Sequence, residues 1–397
     1  MPAPSGARPE AEDPLDLVGR IHATPHRTVY AFAGAGSLAL HWLHAVGGSS
    51  RTVLEAIDHY HDASLSEALG FVPQASVARE VALALARRSL ARAEALTFHD
   101  DPPGPCFGLG LTATIATDRT KRGSHRVELA DADALGVGSV GLLLEKGARE
   151  RLGEEELAGR WLLRLAAEAC GVLGSAPPPI REQETVEERF EPSRAFAAFL
   201  SDGRAVLRLG ADGRPVSAKS DSVAPALVSG SFHPMHDGHR ELARAAEAHL
   251  GRPVAYEMAL ANAEKDPLEP RAARSRAAQA YGEREMMLTH EPLFAGKAER
   301  MPGAIFVLGA DTARRVLEPR FYGGEHELDR ALERVRQAGS RFVVAGRAGE
   351  DGFRTLDDLD VPARFGDLFQ PLPAFRVDLS STELREDWPD GAVADDS

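Results

Sequence analysis

The chain has 397 residues, a formal net charge of −14 and 43% hydrophobic residues, which suits two domains with real cores. The acidic balance, densest at residues 10–16 and 383–396, argues against a nucleic-acid surface, because that needs a basic footprint. No apolar run approaches the ~18 residues of a membrane span, no secretory signal is read, and Cys106 and Cys170 supply no metal framework, so a cytoplasmic protein with small-molecule partners and no membrane is expected.

Residues 1–14 are rich in Pro, Ala, Gly and Glu and read as a disordered tail. An α/β domain is expected over 15–175. Residues 28–32 form its first strand, Gly34, Ala35, Gly36 and Ser37 the turn, and 38–44 a helix ending near Gly47 and Gly48. Val77, Val81 and Leu85 mark an amphipathic helix over 76–96, with Ser76 as N-cap. Strands follow at 107–115 and 126–129, then a helix over 155–172 closed by Gly174 and stopped by Pro177. Gly136, Gly138 and Gly141 spell GxGxxG, but no helix pattern starts there and no acidic partner follows, so the match is read as chance. His41, His44, His59 and His61 lack a cysteine or carboxylate set, which argues against metal. The loop 117–123, with Arg119, Lys121 and Arg122, suits an anion but reads better as a solvated charged loop.

Several features of 28–172 resemble a divergent CinA C-terminal domain, a family that includes nicotinamide mononucleotide deamidases. They are Val46, Gly47, Gly48, Ser49 and Ser50; Tyr60 followed by Leu69 and Gly70; the helix from Ser76; and Gly110, Leu111 and Thr112. The resemblance implies a three-layer α/β fold. The sequence departs from the family where it matters for chemistry. Ala33 falls on the nucleophile serine, Leu65 on the lysine, and Thr117, Asp118, Arg119 and Thr120 replace a glycine-rich loop. Alanine cannot attack an amide and leucine cannot activate a nucleophile. A catalytically degenerate domain is expected, with Ser37 as the only nearby substitute hydroxyl.

Residues 176–222 read as a linker. Asp202 with Gly203 and Asp212 with Gly213 flank an apolar run at 205–209, which suits a β-hairpin. The second domain is expected over 223–397, with strands at 226–229, 254–260, 304–308, 341–345 and 375–378. Helices are expected at 239–250, 270–281, 312–316, 327–337 and 381–386, with Pro270 at the first position of its own. The alternation predicts a Rossmann-like, doubly wound parallel sheet with its ligand cleft at the switch point.

Between the first of these strands and its helix stand Gly230, Ser231, Phe232, His233, Pro234, Met235, His236, Asp237, Gly238 and His239. A glycine turn at a helix start offers unpaired amides to a phosphate. His236 and His239 are three apart, so on a first helical turn they share a face and both reach one phosphate group. The plainer reading is a strand–turn–helix connection that happens to contain histidines. Two further segments weigh against it: Gly309, Ala310, Asp311 and Thr312, and Leu379, Ser380, Ser381, Thr382, Glu383, Leu384 and Arg385.

Together the three resemble the GSFxPxHxGH, GAD and ISSTxxR motifs of the nucleotidyltransferase superfamily, which includes nicotinate and nicotinamide mononucleotide adenylyltransferases. The resemblance implies catalysis by His236 and His239. It also implies nucleotide or phosphate contacts from Gly230, Ser231, Phe232, His233, Gly238, Lys265, Gly309, Asp311, Ser380, Ser381, Thr382 and Arg385. Lys265 follows a strand end and could reach a phosphate, with Lys297 and Arg347 weaker candidates of the same kind. Structural roles compete at several positions: Ser380 and Glu383 spell a capping box, Asp311 suits a helix N-cap, and Lys265, Lys297 and Arg347 suit a surface. The expected reaction moves AMP from ATP to nicotinate or nicotinamide mononucleotide and releases pyrophosphate. Magnesium would arrive with ATP, since no carboxylate cluster for a dedicated metal site is visible. Phosphopantetheine or a CTP-dependent alcohol phosphate is the rival acceptor chemistry, and a non-catalytic nucleotide-binding regulator the rival class. A homo-oligomer is compatible with the sequence. A tRNA synthetase-like reading would need a lysine-rich loop, and 380–385 has no lysine.

Overall fold

A computed structural model describes residues 12–118, 123–217, 224–261, 266–349 and 352–377, without the side chains of 347–349, 352–354 and 374–377. The chain divides into two units between Arg194 and Ala195. Each unit is mixed α/β with its own sheet.

The first unit opens with α1 (Pro14–His22), which starts where the Asp13 carboxylate accepts the Leu15 N–H at 2.9 Å. The tail expected to reach residue 14 therefore gives way to a helix at Pro14. There follow β1 (Arg27–Ala33), α2 (Ser37–Ala45), α3 (Ser49–Thr52), β2 (Val53–Asp58), α4 (Asp62–Leu69), α5 (Arg79–Leu96), β3 (Cys106–Thr114), β4 (His125–Asp133), β5 (Gly136–Leu144), α6 (Arg151–Ala169) and β6 (Thr185–Pro192). The sheet order is β2-β1-β3-β4-β5-β6, parallel among its first three strands and antiparallel beyond. Gly108 and Gly110 let α5 lie close to β3. A Cβ at either would stand 2.2 Å from the Ala86 carbonyl oxygen or 2.4 Å from that of Ala82. Tyr30, Phe107, Leu109, Leu129, Val140, Trp161 and Leu165 join the main core.

Two expectations change here, and the reading of GxGxxG as a chance match holds. Ser76 does not cap α5, which begins at Arg79 behind Ala78; the Ser76 hydroxyl bonds Asp62 instead, at 3.3 Å. The GxGxxG stretch lies in β5, paired on both sides, so it forms no phosphate loop. Residues 185–192, expected within a linker, are the edge strand β6 of this sheet.

The second unit begins with α7 (Arg194–Ser201) and β7 (Leu207–Leu209). The chain does turn back at Asp212 and Gly213, as the hairpin reading expects: Leu209 bridges Pro215, the Gly210 N–H donates to the Arg214 carbonyl at 2.9 Å and the Val216 N–H to the Arg208 carbonyl at 2.8 Å. Strand β7 also pairs with a later strand. Then come β8 (Ala226–Ser229), α8 (Asp237–Leu250), β9 (Val254–Ala259), α9 (Pro270–Ala278), β10 (Met286–Thr289), α10 (Phe294–Arg300), β11 (Ile305–Gly309), α11 (Ala310–Val316), α12 (Glu325–Gln337), β12 (Arg341–Gly349), β13 (Gly352–Arg354) and β14 (Phe369–Val377). The order is β13-β12-β11-β8-β9-β10-β7, with β14 beside β12. Strands 12, 11, 8, 9 and 10 run parallel, while β7 and β13 close the ends antiparallel. Leu227, Ala255 and Met287 face a core shared with α10 and α12. By strand alternation Val228 and Tyr256 point to the opposite face.

The chain leaves β8 toward β9 and β10, then returns to place β11 on the other side of β8. That reversal is a topological switch point, where open α/β sheets bind ligands beyond the strand carboxyl ends.

Candidate active site

Two of the sequence segments meet the switch point directly. Val228 pairs with Val307, so Gly230 and Gly309 each stand two residues past a shared rung. The turn after β8 and the start of α11 therefore leave the sheet at one level, on adjacent strands. Gly309 also pairs with Ala345, and Val377 at the end of β14 pairs with Arg347 two residues on. The parallel strand that leads toward Ser380, Ser381, Thr382 and Arg385 thus ends at the same edge of the sheet. Those four residues and Lys265 lie outside the described residues.

The turn itself is built around Phe232. This residue has φ 47°, in the left-handed region, and its ring is buried against Tyr256 (centroids 5.3 Å) and His239 (5.1 Å). Gly230 was expected to supply the sharp turn, but its φ is not left-handed. Its service is room: a Cβ there would stand 3.1 Å from the Phe232 ring. The Gly230 N–H donates to the Glu257 carbonyl at 3.0 Å, which ties the turn to β9. Ser231 is exposed and His233 half-buried at the mouth of the turn.

His236 is the N-cap of α8, so the helix starts two residues earlier than its apolar pattern suggested. That puts His239 at the third helical position, and the two rings lie with centroids 3.9 Å apart at 39°. Both are half-buried, and Gly238 between them is buried in the first turn. The His236 N–H donates to His239 Nδ1 at 3.3 Å. Asp311 does not cap α11; Gly309 holds that position and Asp311 sits in the first turn.

Gln279, which carries no sequence motif, reaches the turn from the end of α9. Its Oε1 accepts the Met235 N–H and its Nε2 donates to the Phe232 carbonyl, both at 2.8 Å. Lys297 is not a phosphate ligand but a buried ion-pair partner. Its ammonium meets a Glu257 carboxylate oxygen at 2.6 Å, and Thr289 donates to the other at 2.7 Å. Arg347 lies where side chains are not described.

In the first unit, Ala33 ends β1 and Leu65 is buried in a small core with Ala31, Val81 and Leu85. The Ser37 hydroxyl donates to Glu155 at 3.0 Å. That same carboxylate oxygen accepts the Gly36 and Leu38 N–H groups, at 2.7 and 3.1 Å. His44 and His59 bond Ser49 and Ser64, and the His61 ring accepts the Ala63 N–H. Burial lowers the His59 pKa below its ordinary value, against the pull of Asp58. Among the described residues no group of three or more His, Cys, Asp or Glu is placed to hold a metal, and no helix is long and apolar enough to cross a membrane.

Residues 227–387 match the family of cytidylyltransferase-like domains, so the second unit carries a nucleotidyltransferase-type domain. The N-terminal part is similar to solved structures of CinA superfamily proteins. The competence/damage inducible protein CihA from Agrobacterium tumefaciens is 19% identical, over 39% of this chain and 94% of that one, with a TM-score of 0.32. A CinA superfamily protein from Escherichia coli is 17% identical over 38% and 85%, with a TM-score of 0.31. One from Enterobacter cloacae is 13% identical over 42% and 98%, with a TM-score of 0.33. No curated protein matches the chain.

Proposed function

We propose that the second unit transfers AMP from ATP to nicotinate or nicotinamide mononucleotide. An acceptor phosphate oxygen forms a bond to the α-phosphorus while the bond to the bridging oxygen breaks, and pyrophosphate leaves with that electron pair. No covalent enzyme intermediate is needed, so the work left to the protein is positioning and charge stabilisation. The observation that carries the reading is the pair of imidazoles 3.9 Å apart at the start of α8, beside the switch point.

His236 and His239 would hold phosphate oxygens of ATP and meet the charge that develops on them. Gly230, Ser231, Phe232, His233 and Gly238 would frame the nucleotide, with Gly309 and Asp311 on its sugar side. Ser380, Ser381 and Arg385 would take the β- and γ-phosphates, with Thr382 in the same turn, and Lys265 would reach a phosphate. Magnesium enters as part of the MgATP substrate. We read the first unit as lacking a nucleophile, on the support of Ala33 and buried Leu65. Small-molecule partners and a cytoplasmic setting accord with the charge of −14 and two free cysteines.

The test is product identification. The full chain is incubated with MgATP or MgCTP and each mononucleotide, and products are resolved by mass. An adenine dinucleotide supports the reading. A cytidine product, or product only with phosphopantetheine or an alcohol phosphate, replaces it.

A further inference from the structure

We infer that Gln279 is a positioning residue for the paired imidazoles, an inference that rests on the reading of the second unit given above. Phe232 and Met235 stand three apart, the spacing at which a tight turn bonds its own carbonyl to its own N–H. Here that bond is not made. The Gln279 amide stands between the two groups, donating to the Phe232 carbonyl and accepting the Met235 N–H, each at 2.8 Å. A primary amide suits this place because it presents a donor and an acceptor side by side, as a backbone partner does. Its Nε2 also donates to the Arg276 carbonyl at 3.2 Å, which fixes the side chain to its own helix end.

The wedge holds the turn open on both sides of His233 and Pro234. Met235 directly precedes His236, the N-cap of α8, so the point where Gln279 grips is one peptide from the first imidazole. On the other side, the carbonyl it holds belongs to Phe232, whose buried ring rests against His239. One side chain thus braces the backbone behind one histidine and the ring beneath the other. Without it, the Phe232 carbonyl and the Met235 N–H are free to close on each other and draw the start of α8 with them. A displacement of about 1 Å at reacting groups can cost ~10²-fold in rate.

The experiment compares the full-length wild type with Gln279→Ala and Gln279→Glu. It uses steady-state pyrophosphate release and amide hydrogen exchange over residues 232–239. Gln279→Ala is expected to lower kcat by about 10²-fold with a much smaller change in KM for ATP, and to speed exchange at Met235 while the melting temperature stays near wild type. Gln279→Glu keeps the acceptor for Met235 but offers Phe232 a donor only when protonated. Its activity relative to wild type should therefore rise as pH falls toward the ordinary carboxyl range near ~4.3. A merely structural role would not produce that pH-dependent ratio. If wild type turns over and Gln279→Ala matches it in kcat and exchange, the inference is overturned. If wild type releases no pyrophosphate, the reaction reading falls and exchange alone decides: faster exchange in Gln279→Ala supports the brace, and unchanged exchange overturns it.

Discussion

The backbone N–H of His236 donates to Nδ1 of His239 at 3.3 Å, and the two rings lie 3.9 Å apart. An accepting Nδ1 carries no proton, so the neutral His239 ring bears its hydrogen on Nε2. One nitrogen serves the helix cap, and in the function proposed above the other donates to phosphate.

That division of labour separates two effects by mutation. An asparagine at 239 places an oxygen near the Nδ1 position and keeps the cap, but has nothing at Nε2. His239→Asn should melt near wild type, whereas His239→Ala should lose about 1 kcal/mol, as for other lost caps. Both should lower kcat by roughly 10²–10³, the usual cost of one charge-stabilising donor. Thermal denaturation beside a pyrophosphate assay checks both halves.

The buried Glu257 carboxylate is held by Lys297 at 2.6 Å and by Thr289 at 2.7 Å. Removing one member leaves a buried charge without its counter-ion, so Lys297→Met should destabilise by about 3–5 kcal/mol. Adding Glu257→Gln should recover much of that, because the orphaned charge is gone. Thr289→Val should cost about 1.5–3 kcal/mol, for one bond to a charged group. Urea unfolding of the three variants measures the series.

In the first unit His22 is buried, bonded to the Thr52 hydroxyl at 2.8 Å and the Leu43 carbonyl at 2.9 Å. Burial lowers its pKa, opposed by the Leu43 carbonyl and aided by Arg51. His59 is lowered as well, again by burial. A histidine with a depressed folded-state pKa contributes its full stability above the unfolded value near ~6.5, and loses it as pH falls from there toward the folded value. The unfolding midpoint of this unit should therefore drop between pH 7.5 and 5.5. His22→Gln should flatten that dependence. Denaturant melts across this range provide the comparison.

Glu155 accepts from Gly36, Ser37 and Leu38 at the start of α2, so the Ser37 hydroxyl is already committed to a cap. The chain is expected to release no ammonia from nicotinamide mononucleotide, and Ser37→Ala should change nothing in that assay. Ammonia release that vanishes with Ser37→Ala would restore a deamidase role to the first unit.

How much of this was written in the sequence depends on where each element draws its stability. The strand, turn and helix around His236 were legible because an apolar run, a proline and an alanine-rich amphipathic stretch follow one another. The helix start was misjudged by two residues, since it is fixed by His236 acting as a cap rather than by apolar period. Strand β6 escaped notice because its residues are mostly exposed and charged; it is held by its backbone ladder to β5. The four residues of β10 and the seven of α10 are too short to show a period. Gln279 left no signal at all, because its role depends on two backbone groups more than forty residues away. Lys297 misled for the opposite reason: a lone lysine near a ligand edge reads the same whether it meets phosphate or a buried carboxylate.

The most direct measurement is the rate of pyrophosphate release by the full chain from MgATP and MgCTP. It is taken against nicotinate mononucleotide, nicotinamide mononucleotide, phosphopantetheine and an alcohol phosphate, with His239→Ala alongside. Release with MgATP and a pyridine mononucleotide, reduced roughly 10²–10³-fold in the variant, is the expected result. No release with any acceptor, or equal rates in variant and wild type, would contradict the assignment of chemistry to the paired imidazoles.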